Sequence, residues 1–242
     1  MIRFENIYKS FGKRAILKGI NFDLPKGKTT VILGVSGGGK STIIKHIVGL
    51  LTPDSGSIYI NDKKLDVSDE ESLLAIRKKV GFLFQHGALF DSMNVFDNVA
   101  FGVREHQNLS QEKIKRIVEA KLTMVGLDTE VVSPLFPDEL SGGMRKRVGL
   151  ARTLALEPEA ILYDEPTSGL DPISSDFITK MIVDVQQNLG VTSVLISHDI
   201  KEAFKAGDYF LMLHEGVIVE AGDATHFKAS SHRAVQEFLG EY

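Results

Sequence analysis

The segment Gly34–Ser41, which reads GVSGGGKS, constrains the fold of this chain more than any other stretch, because it fits the pattern G-x-x-x-x-G-K-[ST]. An apolar run at 29–33 precedes it and predicts a short buried strand. The segment 43–51 follows it and predicts a helix that ends before Pro53. Glycines allow the backbone to wrap around an anion, and the N-terminus of the following helix adds a partial positive charge. We therefore predict a strand–loop–helix unit that binds the phosphates of a nucleotide.

The polar residues of this loop have separate predicted roles. We expect the Lys40 ammonium to reach the β- and γ-phosphates during catalysis, and the Ser41 hydroxyl to ligate Mg²⁺. A chance glycine-rich turn is the alternative, and the strand and helix patterns on either side argue against it. The predicted phosphate-binding residues are Gly34, Ser36, Gly37, Gly38, Gly39, Lys40, Ser41 and Thr42.

The composition is typical of a soluble globular protein with a sizeable core, since 43% of the 242 residues are hydrophobic and 25% are charged. The formal net charge is −4, so we expect no nucleic-acid partner. The chain has no cysteine, which excludes disulfides and thiolate metal sites. The first residues do not resemble a secretory signal, and no apolar run approaches the roughly 18 residues of a spanning helix. We therefore expect any role at a membrane to depend on a partner.

Apolar periodicity predicts strands and helices that alternate along most of the chain. No strand pattern occurs between about 92 and 156, which suggests a helical subdomain inserted between strands of the core. The predicted strands are 2–8, 20–24, 29–33, 57–62, 80–84, 160–165, 192–197, 209–213 and 217–220, and the predicted helices are 43–51, 70–79, 93–101, 110–125, 144–156, 173–189, 199–206 and a polar tail at 225–240.

The predicted fold class is α/β, with three layers. We expect one domain made of a RecA-like P-loop NTPase core, an antiparallel β edge subdomain and an inserted α-helical subdomain. The core with its β edge is assigned to 1–91 and 157–223, the helical subdomain to 92–156, and a C-terminal helical tail to 224–242.

Several further residues are candidates for a nucleotide site. Phe11, just before the turn at 12–14, is an aromatic that could stack on a purine ring or simply pack. The apolar run 160–163 closes on Asp164 and Glu165, which predicts a buried parallel strand with its carboxylates at the ligand-binding edge. The alternative for these two acids is a helix cap beside a turn. Gln85 ends another apolar strand, which by itself is unremarkable.

Leu140–Met144, which reads LSGGM, precedes a long predicted helix and forms a second anion-binding helix N-terminus. One domain rarely needs two such sites for one nucleotide. The economical interpretation is that this one caps the γ-phosphate held by a second copy of the domain. The alternative is an ordinary N-capped helix with a glycine-rich lead-in.

In this order along the chain, the residues resemble the ATP-binding-cassette family over nearly the whole length. The phosphate loop, Gln85 and the LSGGM signature come first. The run 161–166 (ILYDEP), the segment 168–171 (SGLD) and His198 follow in the family's order. Each motif alone is weak to moderate evidence for the family, whereas six motifs in the family's order are very specific. Met144 departs from the family, which more often has Gln there. The helix-end amides do not depend on that side chain, so we expect hydrolysis to survive.

The resemblance implies ATP and Mg²⁺ as ligands and assigns roles within one chain. Asp164 would hold Mg²⁺, and Glu165 would be the base that deprotonates the attacking water. Gln85 would contact Mg²⁺ or that water and report occupancy to a partner. His198 would contact the γ-phosphate from the last strand.

The resemblance also implies a head-to-tail, ATP-dependent dimer of two copies. The signature residues Ser141, Gly142 and Gly143 would complete the nucleotide site of the opposite subunit. Asp171 would couple the two sites.

The segment 83–101 and the tail 233–240 resemble those of the Mla-type phospholipid-transport ATPases, which also tend to have Met in the signature. This implies a peripheral subunit at the cytoplasmic face of the inner membrane, with a permease that docks near Gln85–Phe96. An accessory cytoplasmic subunit and a periplasmic lipid-binding component are further implied partners. Phe90, Met93 and Phe96 would meet the permease, or else belong to the helical core. A small-solute importer and a soluble regulatory cassette are the alternatives.

Overall fold

Two β-sheets organise the computed structural model, which describes residues 2–240. Residues 1, 241 and 242, which belong to the first and last predicted segments, lie outside the described range. Within that range the strands are β1 (Ile2–Phe11), β2 (Arg14–Leu24), β3 (Thr29–Leu33), β4 (Ser55–Ile60), β5 (Lys63–Lys64), β6 (Val80–Leu83), β7 (Ala160–Asp164), β8 (Thr192–Ile196), β9 (Tyr209–His214) and β10 (Val217–Gly222).

The larger sheet has the strand order β10-β9-β3-β8-β7-β6. Strands β6, β7, β8, β3 and β9 are parallel, and only β10 pairs antiparallel, through a hairpin with β9. Every residue of β3, β7 and β8 is buried, as expected for a parallel sheet covered on both faces. This sheet therefore forms the centre of the predicted α/β core, with its carboxyl ends along one edge.

The smaller sheet is antiparallel, with the strand order β2-β1-β4-β5. Its first two strands are longer than the predicted 2–8 and 20–24, because the β1–β2 ladder continues to the pair Phe11 and Arg14. The ladder contains register shifts, which interrupt the simple alternation that the prediction relied on. Gly12, with φ of 59°, occupies the turn itself.

Ten α-helices and a 3-10 turn at Pro137–Glu139 complete the described residues. Only helices occur from 95 to 154, as the periodicity predicted for this part of the chain. The α-helices are α1 (Lys40–Ile47), α2 (Glu70–Lys79), α3 (Val95–His106), α4 (Gln111–Met124), α5 (Thr129–Val132), α6 (Gly142–Leu154), α7 (Pro172–Leu189), α8 (Ile200–Ala206), α9 (Ala224–Lys228) and α10 (Arg233–Gly240).

Side-chain caps set several of the helix boundaries. The Ser110 hydroxyl accepts from the Lys113 amide and starts α4, as predicted. Helix α6 starts at Gly142 rather than at 144, because Ser141 caps it. Helix α1 ends at Ile47, earlier than predicted, where Gly49 takes a φ of 62° and turns the chain.

The polar tail predicted at 225–240 is helical, but it is divided in two and several of its apolar side chains are buried. The tail forms α9 and α10, separated at 229–232, where Ser230 accepts from the His232 amide and donates to Glu220. Phe227 is completely buried, with its ring centroid 5.6 Å from that of Phe210. Val235 is also completely buried. The tail is therefore part of the hydrophobic core.

Between residues 2 and 240, no helix combines the length and the apolar character needed to span a lipid bilayer.

We expect Phe227→Ala to lower the free energy of unfolding by about 3–5 kcal/mol, because it empties a fully buried aromatic site. Urea denaturation followed by circular dichroism measures this. Val131→Ala is the control: this side chain is 61% exposed, and its removal should change stability by less than about 0.5 kcal/mol. Equal stability of the two variants would show that the tail is not part of the cooperative fold.

Candidate active site

The phosphate loop lies between the carboxyl end of β3 and the start of α1, and its shape requires glycine at two positions. Gly34 has a φ of 145°, and a Cβ there would lie 2.3 Å from the Leu213 carbonyl oxygen. Gly39 has a φ of 108°, and a Cβ there would lie 2.7 Å from Ile16 Cγ2. Helix α1 has neither a side-chain cap nor an acidic residue in its first turn. Its N-terminal partial charge therefore faces the loop without an acidic residue of its own helix to offset it.

The Lys40 ammonium lies inside this loop. Its Nζ donates to the carbonyl oxygens of Gly34, at 2.7 Å, and Val35, at 3.0 Å. Burial lowers the pKa of Lys40, and the nearby carboxylates of Glu165 and Asp164 oppose that shift. An ammonium has three donors, so the loop holds Lys40 in place while one donor remains for a phosphate oxygen.

Ser41 and Asp164 meet across the cleft between α1 and β7. The Ser41 hydroxyl donates to Asp164 Oδ1 at 2.8 Å. Asp164 is only 8% exposed, and burial raises the pKa of its carboxyl, with the Ser41 hydrogen bond acting in the opposite direction. A hydroxyl and a carboxylate are hard oxygen ligands of the kind that Mg²⁺ prefers. A divalent cation would also offset the cost of burying this carboxylate, so the donor set fits the predicted metal.

Glu165, Gln85 and His198 converge from the ends of three neighbouring strands, β7, β6 and β8. Gln85 Nε2 lies 3.3 Å from Glu165 Oε2, and His198 Nδ1 lies 3.6 Å from the same oxygen. Gln85 Nε2 also donates to the Ser168 hydroxyl at 3.2 Å. The structure thus directs the Gln85 amide at Glu165 and Ser168, and its contact with Mg²⁺ stays a prediction.

The backbone of Glu165 is unusual. Its φ of 47° lies in the left-handed region, which costs a non-glycine residue free energy. Its amide donates to the Ile196 carbonyl oxygen at 3.1 Å, which holds it against the end of β8. This conformation turns the chain at the end of β7 and leaves the carboxylate partly exposed in the cleft.

Phe11 borders the same cleft. Its ring is 49% exposed, and it lines a groove together with Ile16, Lys40, Thr42 and Glu165. An exposed aromatic face next to a phosphate-binding loop suits a stacked purine base. This position therefore favours the stacking role over simple packing.

The signature residues form a separate cluster. Ser141 accepts from the Met144 amide at 3.3 Å, and a Cβ on Gly143 would lie 3.3 Å from Ser174 Oγ. Asp171 caps α7 through the amides of Ile173 and Ser174, each at 3.0 Å. None of Ser141, Gly142, Gly143 and Asp171 lines the groove at the phosphate loop. Gly142 and Gly143 face Leu170 and Ser174 instead.

Two residues of the site were not predicted. Ile16 lines the groove beside Phe11, and it is only one apolar residue in an alternating strand. Lys146 lies beneath the turn that follows Glu165 and donates to the Ser168 carbonyl oxygen. It is one of three consecutive basic residues, a pattern that usually indicates a solvent-exposed face.

The sequence profile of the ABC transporter family matches residues 17–168, which is more than half of the chain. The chain belongs to the ABC transporter family. It is an ABC-type ATPase, and the predicted P-loop NTPase fold is confirmed. The matched range includes the phosphate loop, the signature and Glu165, while Phe11, Asp171 and His198 lie outside it.

Similar proteins match almost the whole chain. The intermembrane phospholipid transport system ATP-binding protein MlaF of Haemophilus influenzae is 40% identical over 100% of this chain and 91% of its own length. MlaF of Escherichia coli K12 is 41% identical over 94% of this chain and 84% of its own. The probable ribonucleotide transport ATP-binding protein mkl of Mycobacterium leprae is 40% identical, over 98% of this chain and 68% of its own.

Solved structures give the same fold. The ATP-binding cassette MJ0796, in a dimeric post-hydrolysis state bound to ADP and Pi, aligns with a TM-score of 0.85 at 31% identity, covering 92% of this chain and 98% of its own. CbiO1 of Clostridium perfringens, part of the ABC transporter complex CbiONQ, aligns with a TM-score of 0.83 at 30% identity. The alignment covers 99% of this chain and 90% of CbiO1.

We expect Asp164→Asn to raise the melting temperature at pH 7, measured without nucleotide or Mg²⁺. Because folding raises the pKa of this carboxyl, the folded chain binds more protons than the unfolded one, and ionisation weakens the fold as pH rises. The gain should shrink toward about pH 4, where the unfolded carboxyl is half protonated. The amide keeps an oxygen for the Ser41 hydroxyl.

Asp66→Asn is the matched control. Hydrogen bonds from Ser68 lower the pKa of Asp66, so its loss should reduce the melting temperature at pH 7 or leave it unchanged. A lower melting temperature for Asp164→Asn at pH 7, or a gain of the same size at pH 4, would contradict the account of Asp164.

Proposed function

We propose that this chain hydrolyses Mg·ATP as one half of a head-to-tail homodimer, and that it drives a membrane permease which moves phospholipid between membranes. The observation that carries the hydrolytic part is the convergence in one cleft of Lys40, Ser41, Asp164, Glu165 and their partners. Phosphoryl transfer depends mainly on such positioning and on charge neutralisation.

Nucleotide binding uses the loop and its borders. The Phe11 ring stacks on the base, and the amides at the start of α1 bind the β-phosphate. The Lys40 ammonium bridges to the γ-phosphate. Ser41 and Asp164 are the residues that would hold Mg²⁺, which would supply neutralisation of phosphate charge.

Hydrolysis uses Glu165 as the general base. Its carboxylate is partly exposed in the cleft, where it accepts a proton from the attacking water as the oxygen of that water bonds to the γ-phosphorus. Gln85 and His198 flank Glu165 Oε2 and keep it oriented. ADP leaves with the β–γ bridging oxygen, and His198 contacts the departing phosphate.

The dimer follows from the separation of the two anion sites. Ser141, Gly142 and Gly143 do not line the phosphate-loop groove of their own chain, which supports a role for them at the nucleotide of a second chain. The dimeric arrangement of the MJ0796 cassette supports this pairing. Asp171, which caps α7 beside Gly143, then lies at the boundary between the two sites.

An aromatic surface next to Gln85 supports the permease contact. Phe90 is 41% exposed and its ring centroid is 4.8 Å from that of Phe101. Phe96 packs partly against the helical core instead. We assign permease docking to Gln85–Phe96, on a chain that lies peripherally at the cytoplasmic face of the inner membrane. An accessory cytoplasmic subunit and a periplasmic lipid-binding component complete the proposed assembly.

The full-length similarity to the MlaF proteins supports phospholipid as the cargo. The mycobacterial relatives named for ribonucleotide transport support a second candidate, a small-solute transporter with the same ATPase. We propose that the domain has three parts. These are a nucleotide-binding core at 1–91 and 157–223, a helical subdomain at 92–156 that contains the signature, and a C-terminal helical tail at 224–242.

We expect Glu165→Gln to lower kcat by about 10²–10⁴-fold, because the amide cannot accept the proton. ATP affinity should stay within twofold, and the variant should form a stable ATP-bound dimer. Steady-state phosphate release, ATP titration and light scattering measure these quantities.

Glu157→Gln is the matched control, because Glu157 also has a left-handed backbone, with φ of 51°, but its side chain is 81% exposed. This variant should keep the wild-type kcat. A wild-type rate in Glu165→Gln would remove Glu165 from the role of base.

In a pull-down from detergent-solubilised native membranes, the tagged Glu165→Gln chain should recover the permease. We expect the double variant with Phe90→Ala to recover at least tenfold less permease than this parent. Phe136→Ala, an equally exposed aromatic elsewhere, should recover as much as the parent. Mass spectrometry identifies the recovered proteins and lipids.

Recovery of enriched phospholipid with a lipid-binding component would support lipid transport. Recovery of a solute-binding protein without lipid would support solute uptake instead. Recovery of cytosolic partners alone would contradict a transporter role.

A further inference from the structure

Lys146, in the second turn of helix α6, is a buried cation with no role in the chemistry described above. The Lys146 side chain is 4% exposed, although on the same helix Arg145 is exposed and Arg147 is half-buried. Burying an ammonium is costly unless its hydrogen bonds and its charge are compensated. The groups that surround the Lys146 ammonium therefore indicate its role.

The compensation comes from the loop that follows Glu165. Lys146 Nζ donates to the Ser168 carbonyl oxygen at 2.5 Å. The carboxylates of Glu165 and Glu202 are its two favourable charge partners. Glu202 in turn accepts a hydrogen bond from the Thr167 hydroxyl. One ammonium on the signature helix thus donates to the Ser168 carbonyl oxygen and is attracted to the carboxylates of Glu165 and Glu202.

The Ser168 turn is directly connected to the base. The Ser168 amide donates to the Glu165 carbonyl oxygen at 3.2 Å, which closes the turn. The Ser168 hydroxyl accepts from Gln85, the same amide that flanks the Glu165 carboxylate. A shift of the Ser168 backbone therefore moves both the main chain of Glu165 and the Gln85 contact to its carboxylate.

We propose that Lys146 is a positioning residue for hydrolysis, which ties helix α6 to the Ser168 carbonyl oxygen and thereby sets the position of the Glu165 carboxylate. This extends the proposed function and rests on it. In the head-to-tail dimer, Ser141 at the start of α6 contacts the nucleotide of the partner subunit. Lys146, five residues further along the same rigid helix, then makes Glu165 of one site depend on nucleotide at the other.

Three variants of Lys146 and one control test this. Lys146→Met and Lys146→Gln remove the contact, with an apolar and a shorter polar side chain respectively. Lys146→Arg keeps a charged donor. Arg147→Met is the control on the same helix, because the Arg147 guanidinium donates to the Gly126 carbonyl oxygen, away from the site. All are assayed as the full chain with Mg·ATP for kcat, ATP affinity and melting temperature.

We expect kcat to fall ten- to a hundredfold in Lys146→Met and Lys146→Gln, as misplacement by about 1 Å typically causes, while ATP affinity stays within twofold. Lys146→Arg should keep at least a third of the wild-type kcat, and Arg147→Met all of it. In the Glu165→Gln background, Lys146→Met should lower the residual rate by less than twofold, because the residue acts through Glu165.

A kcat within twofold of wild type in both Lys146→Met and Lys146→Gln would overturn the proposal. So would a loss of ATP affinity equal to the loss of kcat, or an equal loss in all three variants, since either would indicate packing rather than a positioned donor. If the wild-type chain does not hydrolyse Mg·ATP at all, the proposed function itself fails. An active wild type with an active Lys146→Met removes only this inference.

Discussion

The parallel pairing of β3, β8 and β7 is the constraint from which the site follows. In this ladder Ile32 lies opposite Ile196, and Ile196 lies opposite Asp164. The three strands therefore end at the same level, and the residues that come next along the chain emerge side by side at one edge of the sheet. Those residues are the phosphate loop, Glu165 and His198. Since all three strands are completely buried, hydrophobic burial fixes the relative positions of the strand ends that carry the hydrolytic groups.

The charged side chains at this edge of the sheet lower the stability of the fold. Lys40 and Lys146 are nearly buried cations, and Asp164 is a nearly buried carboxylate whose pKa burial raises. Glu165 adds a left-handed backbone to this cost. Such features are disfavoured for stability alone, and they persist because the packed sheet below and helices α1 and α6 beside it leave the chain no cheaper conformation. A polyanionic nucleotide suits this cleft better than a neutral ligand, because the Lys40 ammonium and the start of α1 offset negative charge.

Much of the core and of the site could be predicted, because the signals are local. Buried strands such as β7 read as short apolar runs, the phosphate loop has a pattern that requires its glycines, and Ser110 caps a helix by its own side chain. The differences arise where pairing or packing interrupts a simple pattern along the chain. The ladder of β1 and β2 continues through register shifts that hide its periodicity. The tail was predicted as a polar helical segment, whereas two helices form there and Phe227 packs on Phe210 of β9. No pattern in the residues 225–240 shows which partner that phenylalanine meets.

The sequence by itself determined the chemistry: a phosphate loop, a signature helix, two acids at the end of a buried strand, and the family to which they belong. These depend on residue type and on spacing along the chain, which are visible in one dimension. Only the tertiary structure decided which of these groups meet. It placed Gln85 and His198 on the same oxygen of Glu165, kept the signature apart from its own phosphate loop, and turned Lys146 inward against the Ser168 carbonyl while Arg145 stays outside. The physical reason is that such contacts depend on the pairing of distant strands and on the rotation of each helix against the sheet, and the packing of the whole core sets both.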